Sequence, residues 1–137
     1  ILDGHKFKAY LPGGASGGIL PSAKGDVPLD FGGELTKYGC FVGSHAIVIL
    51  SDKDNLADVA LNLISFFKHE SCGQCTPCRN GTEKIINIIK NNSKWDKDLL
   101  SDISEVMANA SICGLGQAAS NPILSVLKFF PKDVGIK

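Results

Sequence analysis

The sequence has no surplus charge of either sign, since fourteen lysines and arginines meet fourteen aspartates and glutamates. A protein that grips nucleic acid through its phosphates needs a basic face, so the balance argues against that partner. No apolar run approaches the roughly 20 residues that carry a helix across a bilayer, and no signal-peptide pattern opens the chain. A direct membrane span and export are therefore not expected. Internal repeats, low-complexity tracts and long charge runs are also missing. The cysteines do not form a disulfide framework: there are five, an odd number, and three crowd into one short loop. A reducing, cytoplasmic compartment and metal ligation fit that usage better.

What remains is a globular chain of 137 residues with 44% apolar content, enough for one ordinary domain or two small ones. It begins at Ile1 rather than Met, and the opening Leu2-Asp3-Gly4-His5-Lys6-Phe7 reads like the middle of a fold. A C-terminal fragment of something longer is the expectation.

Residues 1–52 read as β-rich. Phe7, Ala9 and Leu11 alternate with polar neighbours, the pattern of a half-buried strand. The loop Pro12–Pro21 holds four glycines. Such loops can bring backbone N–H groups to an anion, but this one lacks the Lys-Ser/Thr ending of a P-loop and a clear GxGxxG register. A tight turn against a neighbouring domain is the plainer reading. Val27–Phe31 reads as irregular connection, and Ala46–Leu50 is a β-branched run suited to a fully buried strand. Cys40, just before it, reads as a small buried hydrophobe.

From Ser51 onward the apolar period changes from two to 3.6, and four helices are predicted. The first covers about Asp54–His69, with Leu56, Val59, Ala60, Leu63 and Phe66/Phe67 as its stripe. The second starts at Thr76-Pro77, read as a hydroxyl cap followed by proline, buries Thr82, Ile85, Ile86 and Ile89, and frays at Asn91-Asn92. The third follows Asp96, with Leu99, Leu100, Ile103, Val106 and Met107. The fourth starts at Asn121-Pro122, carries Ile123, Val126, Leu127 and Phe130, and stops at Pro131. Four short helices make a small bundle, with Trp95 covering one end. The apolar stripes are core rather than cofactor contacts.

The chemistry is concentrated in Glu70-Ser71-Cys72-Gly73-Gln74-Cys75-Thr76-Pro77-Cys78-Arg79. Zinc takes four ligands around one ion, usually from two separated pairs. Three thiols from one continuous loop would have to wrap almost wholly around it. A [4Fe–4S] cubane offers each iron to a different thiolate, and the C-x₂-C-x₂-C run with a remote fourth cysteine is an iron–sulfur spacing. Two residues compete for the fourth place. Cys113 lies in the linker between the third and fourth helices, which can return to the end of the bundle that holds the run; Cys40 lies in the other half. Helix-end geometry favours Cys113. The positive end of the second helix, Arg79 and the nearby Lys68 would favour a more negative, reduced centre. His69 reads as a surface or hydrogen-bonding residue, and His5 and His45 offer no ligand.

At these residues the chain resembles the NADH-binding flavoprotein subunits of complex I and their soluble relatives. Glu70–Arg79 matches the family's ESCGxCxPCR signature throughout, and Ser111–Pro122 resembles its fourth-ligand segment. Within the family, the Cys113-Gly-Leu-Gly-Gln form, the Pro12–Pro21 loop and Gly39–Ser44 look most like the β-subunit of bacterial molybdenum-type NAD-dependent formate dehydrogenase. Diaphorase subunits of NAD-linked hydrogenases come close behind.

The resemblance implies an α+β fold: residues 1–52 as the later part of a ubiquitin-like β-grasp (soluble-ligand-binding) domain, residues 53–137 as a four-helix iron–sulfur bundle. It implies Cys72, Cys75, Cys78 and Cys113 as cluster ligands. It also implies FMN and NAD(H) bound by an upstream domain of the same polypeptide, not by these residues. The implied partners are a [2Fe–2S] thioredoxin-like subunit and a catalytic subunit, in this case a molybdenum formate dehydrogenase. A non-redox module built on structural zinc is the competing class.

Overall fold

The computed structural model describes residues 3–137; Ile1 and Leu2, on which the reading of the chain's start partly rests, lie outside the described residues. A small antiparallel sheet comes first, and a helical layer is packed against it. The strands are β1 (Phe7–Leu11), β2 (Leu20–Pro21) and β3 (Val48–Ser51), in the order β2-β1-β3. Tyr10 pairs with Leu20 on one side and Ile49 on the other.

Because β1 is central, both its faces are covered, and the alternation of a strand divides them. Ala9 and Leu11 enter the main core with the helices. Tyr10 faces the other way, into a smaller cluster with Leu20, Leu35, Cys40 and Val42. Cys40 is thus the small buried hydrophobe expected. Phe7, at the strand's outer end, is exposed.

The run Ala46–Leu50 does not make a fully buried strand. The strand begins only at Val48, Val48 and Ile49 stay exposed, and Leu50 is its buried member. β3 lies at an edge of this sheet, and of the run only Leu50 reaches the main core. β-branched composition signals a strand but does not say where in the sheet it lies.

The glycine-rich loop is a close backbone crossing within the chain. Gly14 N–H donates to Ala46 O at 2.8 Å, Ser44 N–H to Gly13 O at 3.0 Å, and Phe41 N–H to Gly17 O at 3.2 Å. A Cβ on Gly13 would overlap the backbone of residues 41–43. Glycine is needed there for proximity, and what the loop turns against is residues 41–46 of its own chain.

The helices are α1 (Leu56–Glu70), α2 (Thr76–Asn91), α3 (Lys97–Ala110), α4 (Gly114–Ala118) and α5 (Asn121–Phe129). Four match the periodic stretches; α4 occupies what reads in the sequence as a linker, so the described residues hold five helices rather than four. Asn55 caps α1 by accepting from Ala57 and Asp58 N–H, and Asp96 caps α3 through Leu99 N–H at 3.0 Å. The α2 cap is Cys75, not Thr76, which already lies within the helix.

The buried faces of α2 and of the last helical stretch are those expected: Thr82, Ile85, Ile86 and Ile89, then Ile123, Val126, Leu127 and Phe130. On α1 and α3 the buried stripes are narrower than the sequence suggests. Phe67, Leu100 and Met107 are buried, while their neighbours Phe66, Leu99 and Val106 are 50%, 37% and 55% exposed. Consecutive residues sit about 100° apart on a helix, so one of each adjacent pair turns away. Ile64 and Ser104 fill places in the core that the expected stripes do not include. Trp95 is buried in the core, as its end-covering role requires.

Sheet and helices share that core, which runs from Ala9, Leu11 and Ile19 through Ile64, Ile85 and Leu100 to Ile123. Polar ties reinforce the join. Lys8 Nζ lies 2.6 Å from Asp133 Oδ2 and donates to Asp54 O at 3.2 Å, and Asn121 Nδ2 donates to Ser16 O at 2.9 Å. Among the described residues no helix is long and apolar enough to cross a membrane.

Candidate metal centre

α1 and α2 pack against each other, α3 lies beside α2, and α4 touches both α2 and α3. This brings two connections to one place: residues 71–75 between α1 and α2, and residues 111–113 between α3 and α4. The α1 helix ends at Ser71, whose N–H bonds Phe67 O at 3.0 Å. Gly73 then takes φ +74° with open space around the missing Cβ, so its role is the left-handed turn that separates Cys72 from Cys75. α3 ends in the same way at Ser111, whose N–H bonds Met107 O at 3.2 Å.

The four thiols expected to act together share one cavity. Cys72, Cys75, Cys78 and Cys113 line a space of about 120 Å³ with Ser71, Gln74, Ile112 and Leu115. Cys40 is elsewhere, in the small cluster behind β1. Cys75 and Cys113 occupy the N-cap positions of α2 and α4, a pairing hidden in the sequence because α4 is hidden there.

The backbone of this cavity favours thiolate. Ile112 N–H, then Cys78 N–H, hold the Cys75 thiol below its ordinary pKa range against the opposing effect of burial. The Ile112 contribution comes from the second connection, so the two loops already act on one sulfur. Ser71 Oγ lies 3.3 Å from Cys78 Sγ.

The charged neighbours are tied to the cysteine loop and to α2. Arg79 donates to Gly73 O and reaches Thr76 Oγ1 at 3.4 Å, pinning the cysteine loop. Lys68 pairs with Glu83 at 3.5 Å. His69 pairs with Glu70 on the exposed surface, in line with the non-ligand role read for it.

The residues present fit an iron–sulfur cluster. Four soft sulfur donors surround one cavity. Among the described residues no three His, Cys, Asp or Glu side chains converge as a single ion requires. The Ser111 hydroxyl is buried with no hydrogen-bond partner in the protein, and buried hydroxyls normally have one.

Known proteins share the sequence and the fold. Residues 58–136 match the family model described as the NADH-ubiquinone oxidoreductase-F iron-sulfur binding region. The chain is 36% identical over 136 residues to the HndC subunit of the NADP-reducing hydrogenase of Solidesulfovibrio fructosivorans, covering 96% of this chain and 28% of that protein. It is 38% identical over 135 residues to the F component of the NADH-quinone oxidoreductase of Mycobacterium bovis, covering 95% and 30%. In structure it is similar to a chain of an NAD+-reducing [NiFe]-hydrogenase in the H2-reduced state, with TM-score 0.81 and 26% identity over 95% of this chain and 23% of that one. The chain therefore spans less than a third of the length of these relatives.

Proposed function

The chain belongs to the NADH-ubiquinone oxidoreductase-F iron-sulfur binding family, whose cofactor is a [4Fe–4S] cluster, and from that premise we propose that it is the electron-transfer module of an NAD(H)-linked oxidoreductase. Cys72, Cys75, Cys78 and Cys113 are its proposed cluster ligands. The observation that carries this reading is their common cavity, reached by two loops from separate helix pairs. When bound, the cluster supplies one-electron transfer.

The chain's own residues hold and insulate it. Arg79 and the Gly73 turn fix the spacing of the three clustered thiols. The backbone N–H groups of Ile112 and Cys78 keep Cys75 ready to ligate as thiolate. Ile112 and Leu115 give the cavity apolar wall.

In the whole protein, FMN and NAD(H) belong to an upstream domain, with residues 1–52 as the end of a β-grasp unit and residues 53–137 as the cluster-binding unit. The partners are a [2Fe–2S] thioredoxin-like subunit and a catalytic subunit in the cytoplasm. For the catalytic partner, the Cys113-Gly-Leu-Gly-Gln form and the Pro12–Pro21 loop favour a molybdenum formate dehydrogenase. The likeness to two hydrogenase subunits favours a diaphorase instead.

Anaerobic purification tests the module. A brown protein with broad absorption near 400 nm that bleaches with dithionite is expected, and a colourless protein loaded with zinc sinks the proposal. Formate-dependent reduction of NAD+ by the assembled complex, against hydrogen-dependent reduction, decides between the partners.

A further inference from the structure

We propose that Ser71 is a hydrogen-bond donor to the sulfur of Cys78, and that it raises the reduction potential of the cluster held there. The inference rests on the reading of Cys78 as a cluster ligand.

The donor direction follows from what surrounds Ser71. Its Oγ is 3.3 Å from Cys78 Sγ and accepts from Gly73 N–H at 3.2 Å. A ligating thiolate has no hydrogen to give, so the contact requires the serine proton to point at sulfur. Gly73 N–H occupies the oxygen's acceptor side, leaving the O–H free for that task. The turn at Gly73 brings the amide back to the serine, and the bond from Ser71 N–H to Phe67 O fixes the backbone beneath.

Ser111 on the second loop is placed differently. It too follows directly on a helix, with its N–H tied to Met107 O and its C=O taking Gln117 Nε2 at 3.0 Å. Its backbone groups are satisfied, yet its buried hydroxyl has no partner. Gly116 presses on it from the other side, where an added Cβ would sit 2.5 Å from Ser111 Oγ and 2.8 Å from Cys78 Cβ. The hydroxyl is therefore packed between Gly116 and Cys78 without a hydrogen bond to a cysteine sulfur.

A one-electron reduction adds negative charge to the cluster and its sulfurs. Donors aimed at sulfur stabilise that form more than the oxidised one, which raises the potential. Ser71 acts through the Cys78 sulfur and is a positioning residue.

The test is a redox titration of the cluster-loaded full-length protein, followed by the EPR signal of the reduced cluster. Ser71→Ala is expected to shift the reduction equilibrium about tenfold toward the oxidised form, a fall of about 59 mV for a one-electron couple. Ser71→Thr, which keeps the hydroxyl, is expected to restore the parent potential. An intact cluster with an unchanged potential in Ser71→Ala overturns this proposal alone. A parent protein that binds no cluster overturns the proposal and the reading beneath it together. If the alanine variant does not load, pulsed EPR of the unmodified protein decides. A strongly coupled proton that exchanges soon after transfer to D2O supports the Ser71 hydroxyl donor, and its absence refutes it.

Discussion

Cys40 and Cys75 are the same residue type in opposite surroundings. Cys40 lies behind β1 among Tyr10, Leu20, Leu35 and Val42, and burial pushes its thiol above the ordinary range, against weaker opposing effects from Ser125 and Lys128. Cys75 stands at the start of α2 with backbone N–H groups from two loops around it, and its thiol is pulled below that range. An apolar pocket favours the neutral thiol; a helix start with unpaired amides favours thiolate. The contrast teaches that burial alone does not mark a packing cysteine, since Cys78 is buried too yet belongs to the cavity.

The hardest way to break the comparison is to remove each thiol. Cys113→Ser is expected to abolish the visible absorption of the anaerobically purified protein, while Cys40→Ser retains it in full. Loss of colour from the Cys40 variant with colour kept in the Cys113 variant would reverse the assignment. Next come the two glycines that crowd the two regions. Gly13→Ala places a methyl into the backbone of residues 41–43, which cannot yield, and a loss of about 3 kcal/mol or more is expected in chemical denaturation. Gly116→Ala meets side-chain atoms of Ser111 and Cys78. Those can give slightly, so a cost of about 1–2 kcal/mol is expected, together with faster loss of the cluster. Equal stability losses would show that the two crossings are equally rigid.

A smaller effect belongs to the helix that carries the second loop. Asp96 Oδ1 accepts from Leu99 N–H, so Asp96→Ala is expected to lower stability by about 1 kcal/mol without changing the colour of the protein. A change of spectrum from this variant would mean that α3 transmits strain from its start to Ser111.

Much of the cluster-binding half is legible directly, because a cysteine run reports its chemistry through spacing and needs no tertiary information. The helices are legible for a similar reason, in that a 3.6-residue period survives without knowledge of what the helix packs on. What is lost depends on neighbours. Phe66, Leu99 and Val106 look identical in sequence to their buried partners, and only the packing of α1 and α3 selects one of each pair. Gly114-Leu-Gly-Gln-Ala lacks both the length and the propensity that announce a helix, so α4 stays hidden along with the N-cap position of Cys113. Ser71 carries no signal at all. A serine after a helix reads as an ordinary terminus until the sulfur beside it is placed.

The smallest expected effect lies between the two regions, where β3 hands over to α1. Asp54 Oδ2 accepts from Ser51 N–H at 2.6 Å and from Ser51 Oγ at 2.9 Å. These bonds, the backbone one first, hold its carboxyl below the ordinary value of 3.8. A carboxylate with a depressed folded pKa stabilises the fold at pH above its unfolded value, and that contribution is lost as pH falls through the lower folded value. Acidification below about pH 4 is therefore expected to loosen the junction, read as faster amide exchange at Ser51. Asp54→Asn, which cannot carry the charge, should show the faster exchange already at neutral pH and no further acid step from this site. An acid step that persists unchanged in the variant would place its origin elsewhere. Because sheet and helices share one core, the loosening should stay local: Ser51 exchanges faster while amides of α2 beside the cysteine cavity keep their protection.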